Sequence, residues 1–173
     1  GSLGSYYAIR DYCAVNPEFG TLEDFDEFVK KAHSLGMKVI IDWVANHTSP
    51  DHPWVTEKPA EWYMRDEQGK TITEYDWTDI AKLNYDCPDV AVAMEDCMRF
   101  WLDRGVDGFR CDMAALVPQS FWTKVFADFR KDYSRPLYFL AEGEEAWLHE
   151  AGFNTSYAWK FHHLIIDIAQ GKA

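Results

Sequence analysis

Long hydrophobic runs are missing from this sequence of 173 residues. None approaches the roughly 20 consecutive apolar residues of a membrane-spanning helix, so no membrane partner is expected. The pattern of a secretory leader is missing as well, because Gly1, Ser2, Leu3 and Gly4 run straight into a polar and aromatic stretch. Positive charge is scarce. Seventeen Lys and Arg against 29 Asp and Glu give a net charge of −12, which argues against nucleic acid or any other partner held through a phosphate backbone. Cysteine is sparse too: Cys13, Cys87, Cys97 and Cys111 have no metal-type spacing. Cys111 falls inside a predicted core strand and reads as a structural thiol. None of these absences distinguishes a secreted, periplasmic or cytoplasmic home.

What is present is material for a core. With 47% hydrophobic and 16% aromatic residues the chain is globular and not disordered. Eight Trp and nine Tyr beside an acidic balance suit a neutral, polar ligand.

Residues 21–35, TLEDFDEFVKKAHSL, read as an amphipathic helix. Thr21 is its N-cap, acids fill the first turn, and Leu22, Phe25, Phe28, Val29 and Ala32 make one face. Gly36 stops it, and MKVIIDWV follows as a buried strand. Residues 49–80 break the pattern with Pro50, Pro53, Pro59 and a Gly69-Lys70 turn, and are long enough to be a functional loop or a small subdomain. Periodicity returns in a helix from Asp89 to Asp103, with Val92, Met94, Met98 and Trp101 on its apolar face. A strand at 105–112, a helix at 119–131, a strand at 137–142 and a helical ending, FHHLIIDIAQGKA, complete the chain. Strands alternating with helices predict an α/β fold with a parallel sheet. Three complete strands leave open edges, so the expectation is a segment of a larger barrel. Its parts are a barrel segment at 1–48, a protruding loop subdomain at 49–80 and a second barrel segment at 81–173.

Each strand ends on an acid: Asp42 closes MKVIID, Asp112 closes VDGFRCD and Glu142 closes LYFLAE. In a parallel α/β barrel those ends share one face, where chemistry gathers. Arg110 lies two residues before Asp112, and strand alternation puts both side chains on the same side. A buried structural ion pair would give the same pattern without catalysis. Glu144 and Glu145 lie beyond the strand end and are rival candidates for the acid at Glu142.

Taken together, DWVANH (42–47), GFRCD (108–112) and the Glu142 of LAEGE (140–144), preceded by VNPEFGT (15–21), resemble the α-amylase superfamily over essentially the whole chain. These are retaining α-glycoside hydrolases on a TIM barrel. The resemblance implies a partial (β/α)8 barrel, roughly strands three to six, with 49–80 as a short version of the domain between strand three and helix three. By the same resemblance Asp112 is the nucleophile and Glu142 the acid/base, its pKa raised by the apolar LYFLA. Arg110 keeps Asp112 ionised and oriented on the substrate-binding face. His47 bonds sugar hydroxyls in the subsite before the scissile bond, and Tyr7 stacks on that sugar, with Tyr6 a decoy. Asp42 is a supporting acid with no chemistry of its own.

Two departures from the family's pattern carry expectations. Ala8 stands where exo-acting α-glucosidases often have an aspartate that grips the terminal sugar, which favours internal cleavage. Asn46 resembles a calcium ligand, but its partner aspartate is replaced by Lys82 in IAKLN (80–84). An ammonium there disfavours calcium, and its amine is expected to bond Asn46. No cofactor is therefore expected. The family's third acid, in an Asn-His-Asp motif, is not among these residues, and His162-His163 is not that motif. The expected activity is retaining hydrolysis of internal α-1,4 bonds in starch-like α-glucans or maltooligosaccharides through a glycosyl-aspartate. An α-glucosidase or glucanotransferase of the same family, or a non-catalytic glycan-binding barrel, are the alternatives.

Overall fold

The computed structural model describes residues 4–172. Its strands in chain order are β1 (Ile40–Trp43), β2 (His47–Thr48), β3 (Ala81–Lys82), β4 (Gly108–Cys111), β5 (Tyr138–Ala141) and β6 (Thr155–Ser156). Its helices are α1 (Leu22–Ser34), α2 (Trp54–Glu57), α3 (Pro88–Asp103), α4 (Gln119–Asp132), α5 (Trp147–Glu150) and α6 (Trp159–Ala169), with short 3-10 turns at Ala60–Trp62 and Ala114–Leu116.

Helix α1 begins where the capping signal predicts. The Thr21 hydroxyl accepts the Asp24 N–H at 3.2 Å while the Asp24 carboxylate accepts the Thr21 N–H at 2.8 Å. Val29 and Ala32 are buried, and Phe25 meets Trp101 edge to face at 4.9 Å. Phe28, expected on that face, is exposed, and so is Val92 of α3. Each lies at the margin of its apolar stripe, and neighbours fill the contact instead: Val29 in α1, and Val90, Met94, Met98 and Leu102 in α3.

The strands β1, β4, β5 and β6 form one parallel sheet in that order. Alternation along them divides the side chains in two. Phe109 and Phe139 turn outward into the apolar cluster, where Phe109 meets Trp43 edge to face at 5.2 Å and Phe139 stacks on Phe126 of α4 at 3.9 Å among buried Trp122, Val125 and Phe129. Arg110, in register with Asp42 on one side and Leu140 on the other, turns the opposite way. The ladder runs one step past the strands. Asp112 N–H donates to the Trp43 carbonyl at 2.9 Å, and Glu142 N–H donates to the Cys111 carbonyl at 3.0 Å. Both acids are thereby held at one level of the sheet by backbone bonds.

Between β1 and α3 the chain makes an excursion in which β2 pairs antiparallel with β3. Trp62 and Tyr63 from this stretch are buried in the same apolar cluster as Phe109 and Trp122. The Thr48 and Tyr63 hydroxyls share a hydrogen bond of 2.9 Å. Among the described residues no helix is long and apolar enough to cross a membrane.

Gly108 is where β4 and β5 come closest. Its φ is +153°, and a Cβ there would stand 1.8 Å from the Tyr138 carbonyl oxygen. Gly108→Ala is expected to force the two strands apart and to cost about 3 kcal/mol or more, as backbone clashes in a core do. Denaturant unfolding of the full-length protein measures this, and an unchanged midpoint would show that the pair can spread without loss.

Candidate active site

Arg110 is the centre of the site. Its Nη1 bonds Asp42 Oδ1 at 2.9 Å and Asp112 Oδ1 at 3.0 Å, its Nη2 pairs with Glu142 Oε2 at 2.8 Å, and its Nε donates to the Tyr157 hydroxyl at 3.2 Å. A planar guanidinium presents donors in fixed directions, so one side chain orients three carboxylates from three adjacent strands. Four of its five N–H donors are engaged by protein groups. Arg110 thus holds Asp42, Asp112 and Glu142, and it also borders the cleft, where it was expected among the substrate-binding residues.

Asp112 and Glu142 also hydrogen-bond to each other. Burial, followed by that bond and Glu142's charge, pushes Asp112 up to about 7 against the downward pull of Arg110. The expectation from sequence was the reverse, with Arg110 holding Asp112 ionised. Arg110 divides its charge among three acids, and two carboxyls in contact retain a proton between them. Glu142 has one more fixed partner, the Met113 N–H at 3.0 Å. Met113 sits in the left-handed region at φ 42°, a costly conformation for a residue with a Cβ, and its N–H is aimed at Glu142.

These groups open into a cleft of about 500 Å³ lined also by Ser5, Tyr7, His47, Trp77, Asp79, Ile80 and Met113. Tyr7 donates its hydroxyl to Asp42 Oδ2 at 3.1 Å. His47 is almost wholly buried, with Asn46 Nδ2 3.3 Å from its Nδ1 and the Tyr7 carbonyl as a second partner. Burial lowers its pKa, so it meets a ligand as a neutral imidazole. Trp77 lies 5.7 Å from the His47 ring. Asp79 accepts the Ser5 N–H at 2.8 Å, which lowers its pKa and keeps it ionised.

The structure brings Asp112, Glu142, Arg110, Tyr7, His47 and Asp42 into one place and leaves other candidates outside it. Tyr6 bonds Glu18 at 3.0 Å and points away from the cleft. Glu144 accepts the Lys160 N–H at 2.7 Å at the first turn of α6, and Glu145 accepts the Glu144 N–H at 2.9 Å. Ala8 is fully buried and is not among the residues that border the cleft. Trp77, Asp79 and Tyr157 were missed because no periodicity marks them. The one signal for Trp77 and Asp79 was the length of the 49–80 interruption.

Where the resemblance implied calcium, a lysine stands in place of an acidic ligand. Lys82 pairs with the Glu74 carboxylate, not with Asn46 as expected, and its strand partner is the buried His47. An ammonium and an imidazole beside Asn46 are not hard oxygen ligands, and the Lys82 charge would repel a cation. Among the described residues no three His, Cys, Asp or Glu side chains are grouped to hold a metal.

A parallel arc with helices outside and acids at its C-terminal edge is part of a (β/α)8 barrel. The chain matches the family model "Alpha amylase, catalytic domain" over residues 4–77 and 56–151. It is 32% identical over 163 residues to "Alpha-amylase 3" of Dictyoglomus thermophilum, spanning 79% of this chain and 32% of that protein. It is 37% identical over 176 residues to an alpha-1,4-glucan:maltose-1-phosphate maltosyltransferase of Arcanobacterium haemolyticum, spanning 92% of this chain and 25% of that one. The crystal structure of an alpha-amylase from Lactobacillus plantarum superposes with a TM-score of 0.92 at 36% identity, covering 100% of this chain and 44% of that one. The chain belongs to the α-amylase family, and it spans about a quarter to a third of these two curated relatives.

A raised carboxyl pKa has a stability consequence of fixed sign. Asp112 binds its proton more tightly folded than unfolded, so its contribution is complete below about pH 4 and is lost as pH rises through about 7. Asp112→Asn, which mimics the neutral acid, is expected to raise Tm above pH 7, with the gap closing toward pH 4. Thermal melts of both proteins across that range measure it. A constant gap would mean that Asp112 has no such shift.

Proposed function

We propose that the protein containing this chain cleaves α-glucosidic bonds in α-glucans with retention of configuration. One observation carries this reading: Asp112 and Glu142 are in hydrogen-bond contact on adjacent strands at the base of an aromatic-lined cleft, with a single arginine orienting both. Double displacement by carboxylates needs a nucleophile and an acid about 5–5.5 Å apart across the bond, so the direct contact must open as a sugar enters. In the first step the proton held by the pair passes from Glu142 to the glycosidic oxygen while ionised Asp112 attacks the anomeric carbon, giving a glycosyl ester and a free leaving sugar. In the second, Glu142 takes a proton from water, whose oxygen attacks the same carbon and releases Asp112. Tyr7 and Trp77 offer ring faces to the sugar's C–H faces. His47 and Asp79 offer polar groups to its hydroxyls. A barrel kept only to bind glycans would have no use for this acid pair.

The finer reading, hydrolysis at internal α-1,4 bonds, is supported by the alpha-amylases among the relatives. A second reading is favoured by Asp79: an ionised carboxylate on the Tyr7 and His47 side suits the hydroxyls of a chain-end sugar, as an α-glucosidase requires. Maltoheptaoside blocked at its non-reducing end separates them, since only an internally cleaving enzyme hydrolyses it. A third outcome, transfer to added maltose in place of water, would identify a transferase.

In the full-length protein Asp112→Asn is expected to lower turnover by several orders of magnitude with the fold retained, and a fluorinated glycosyl donor should label Asp112 covalently. Glu142→Gln is expected to spare substrates with an activated leaving group far more than starch. Labelling at Glu142, or equal losses on both substrates, would overturn these roles.

We further propose that no calcium is needed beside Asn46. Chelator is expected to leave Tm unchanged, and Lys82→Asp to create a calcium-dependent rise. A loss of Tm with chelator in the parent protein that calcium restores, and that Lys82→Asp does not alter, would place a cation there after all.

A further inference from the structure

Two of the four cysteines face each other away from the active site. Cys13 lies in the loop that leads from Tyr7, and Cys97 lies on α3. Three contacts bring them together. The Cys13 N–H donates to Asp11 Oδ1 at 2.8 Å, which sets the turn. The preceding residue, Tyr12, is buried and its carbonyl accepts the Trp101 indole N–H at 2.7 Å. Trp101 is one helical turn beyond Cys97 on the same face of α3, so the bond that docks Tyr12 also sets Cys13 against Cys97. The two thiols then neighbour each other closely enough that each is the largest influence on the other's ionisation. Both side chains are partly exposed and pack on the edge of the main apolar cluster.

We propose that Cys13 and Cys97 are a site of reversible oxidative modification, closing to a disulfide when the protein meets a small-molecule disulfide. The Cys97 hydrogen bond lowers the Cys13 pKa, favouring Cys13 as the attacking thiolate. Its sulfur attacks one sulfur of the small disulfide and expels one thiolate, leaving a mixed disulfide on Cys13. With that thiolate gone, Cys97 gives its proton to the expelled group and its sulfur attacks the Cys13 sulfur, expelling a second thiolate that takes up the proton Cys13 released to solvent on ionising. Two protein thiols are oxidised and one small disulfide is reduced to two thiols. The bridge fastens the loop carrying Tyr7 to α3 across a long stretch of chain, which restricts the unfolded state.

The full-length protein treated with excess oxidised glutathione tests this by peptide mapping without reduction. The expected result is a Cys13 peptide joined to a Cys97 peptide and a Tm several degrees higher, both reversed by dithiothreitol. Cys97→Ser is expected to leave glutathione on Cys13, while Cys87→Ser leaves the bridge intact. The wild-type map stands alone should a variant fail to fold. A persistent glutathione adduct on wild-type Cys13, pairing of Cys13 with another cysteine, or no linked peptide would overturn the proposal. A bridge with unchanged Tm would overturn the fastening of the loop.

Discussion

One guanidinium organises the catalytic face. Arg110 stands in register with Asp42, reaches Asp112 two residues further on and spans to Glu142 on the next strand. Three ionised carboxylates against one cation would leave the cluster two charges negative in a half-buried place. Retaining a proton between Asp112 and Glu142 relieves this, and a site poised to donate a proton near neutrality follows from the imbalance. The arginine therefore tunes as well as orients. A lysine would provide the charge but not the fork that keeps the carboxyls apart in direction.

The second requirement is to hold the irregular chain that leaves β1. Residues 44–47 turn away from the sheet, and their carbonyls must find partners elsewhere. Buried phenols serve. Tyr12 shares its single O–H between the Val44 and His47 carbonyls, 2.7 and 2.8 Å away, and Tyr85 donates to the Ala45 carbonyl at 2.8 Å. Burial raises the pKa of both phenols, so they stay protonated as donors. His47 is positioned by this satisfied backbone, and Tyr12 is in turn anchored on α3 through Trp101. The substrate side of the cleft thus leans on the same helix that backs the sheet.

Legibility in the sequence followed locality. The four longer helices, the three longer strands and the acids at their ends were readable because period and turn signals act over a few residues, and register then aligned Asp112 with Glu142 automatically; the one-turn helices α2 and α5 are too short to show a period. β6, two residues long, has no period to read. Phe28 and Val92 were misjudged because an apolar stripe's margin is decided by what packs opposite, which a helical wheel does not contain. The excursion at 49–80 was visible only as an interruption. Its contributions, Trp77 and Asp79 in the cleft and the Lys82–Glu74 pair, depend on antiparallel contacts over long separations.

The shared level of Asp42, Arg110 and Leu140 makes catalysis a reporter of strand alignment. Sliding β4 by one residue exchanges Arg110 for Phe109 on the cleft side and sends the guanidinium into the layer packed by Phe126 and Phe139. Such a molecule could keep its helices and much of its compactness while lacking every ion pair of the site. Spectra of secondary structure would not register the error, whereas turnover per molecule would count only the correctly threaded population.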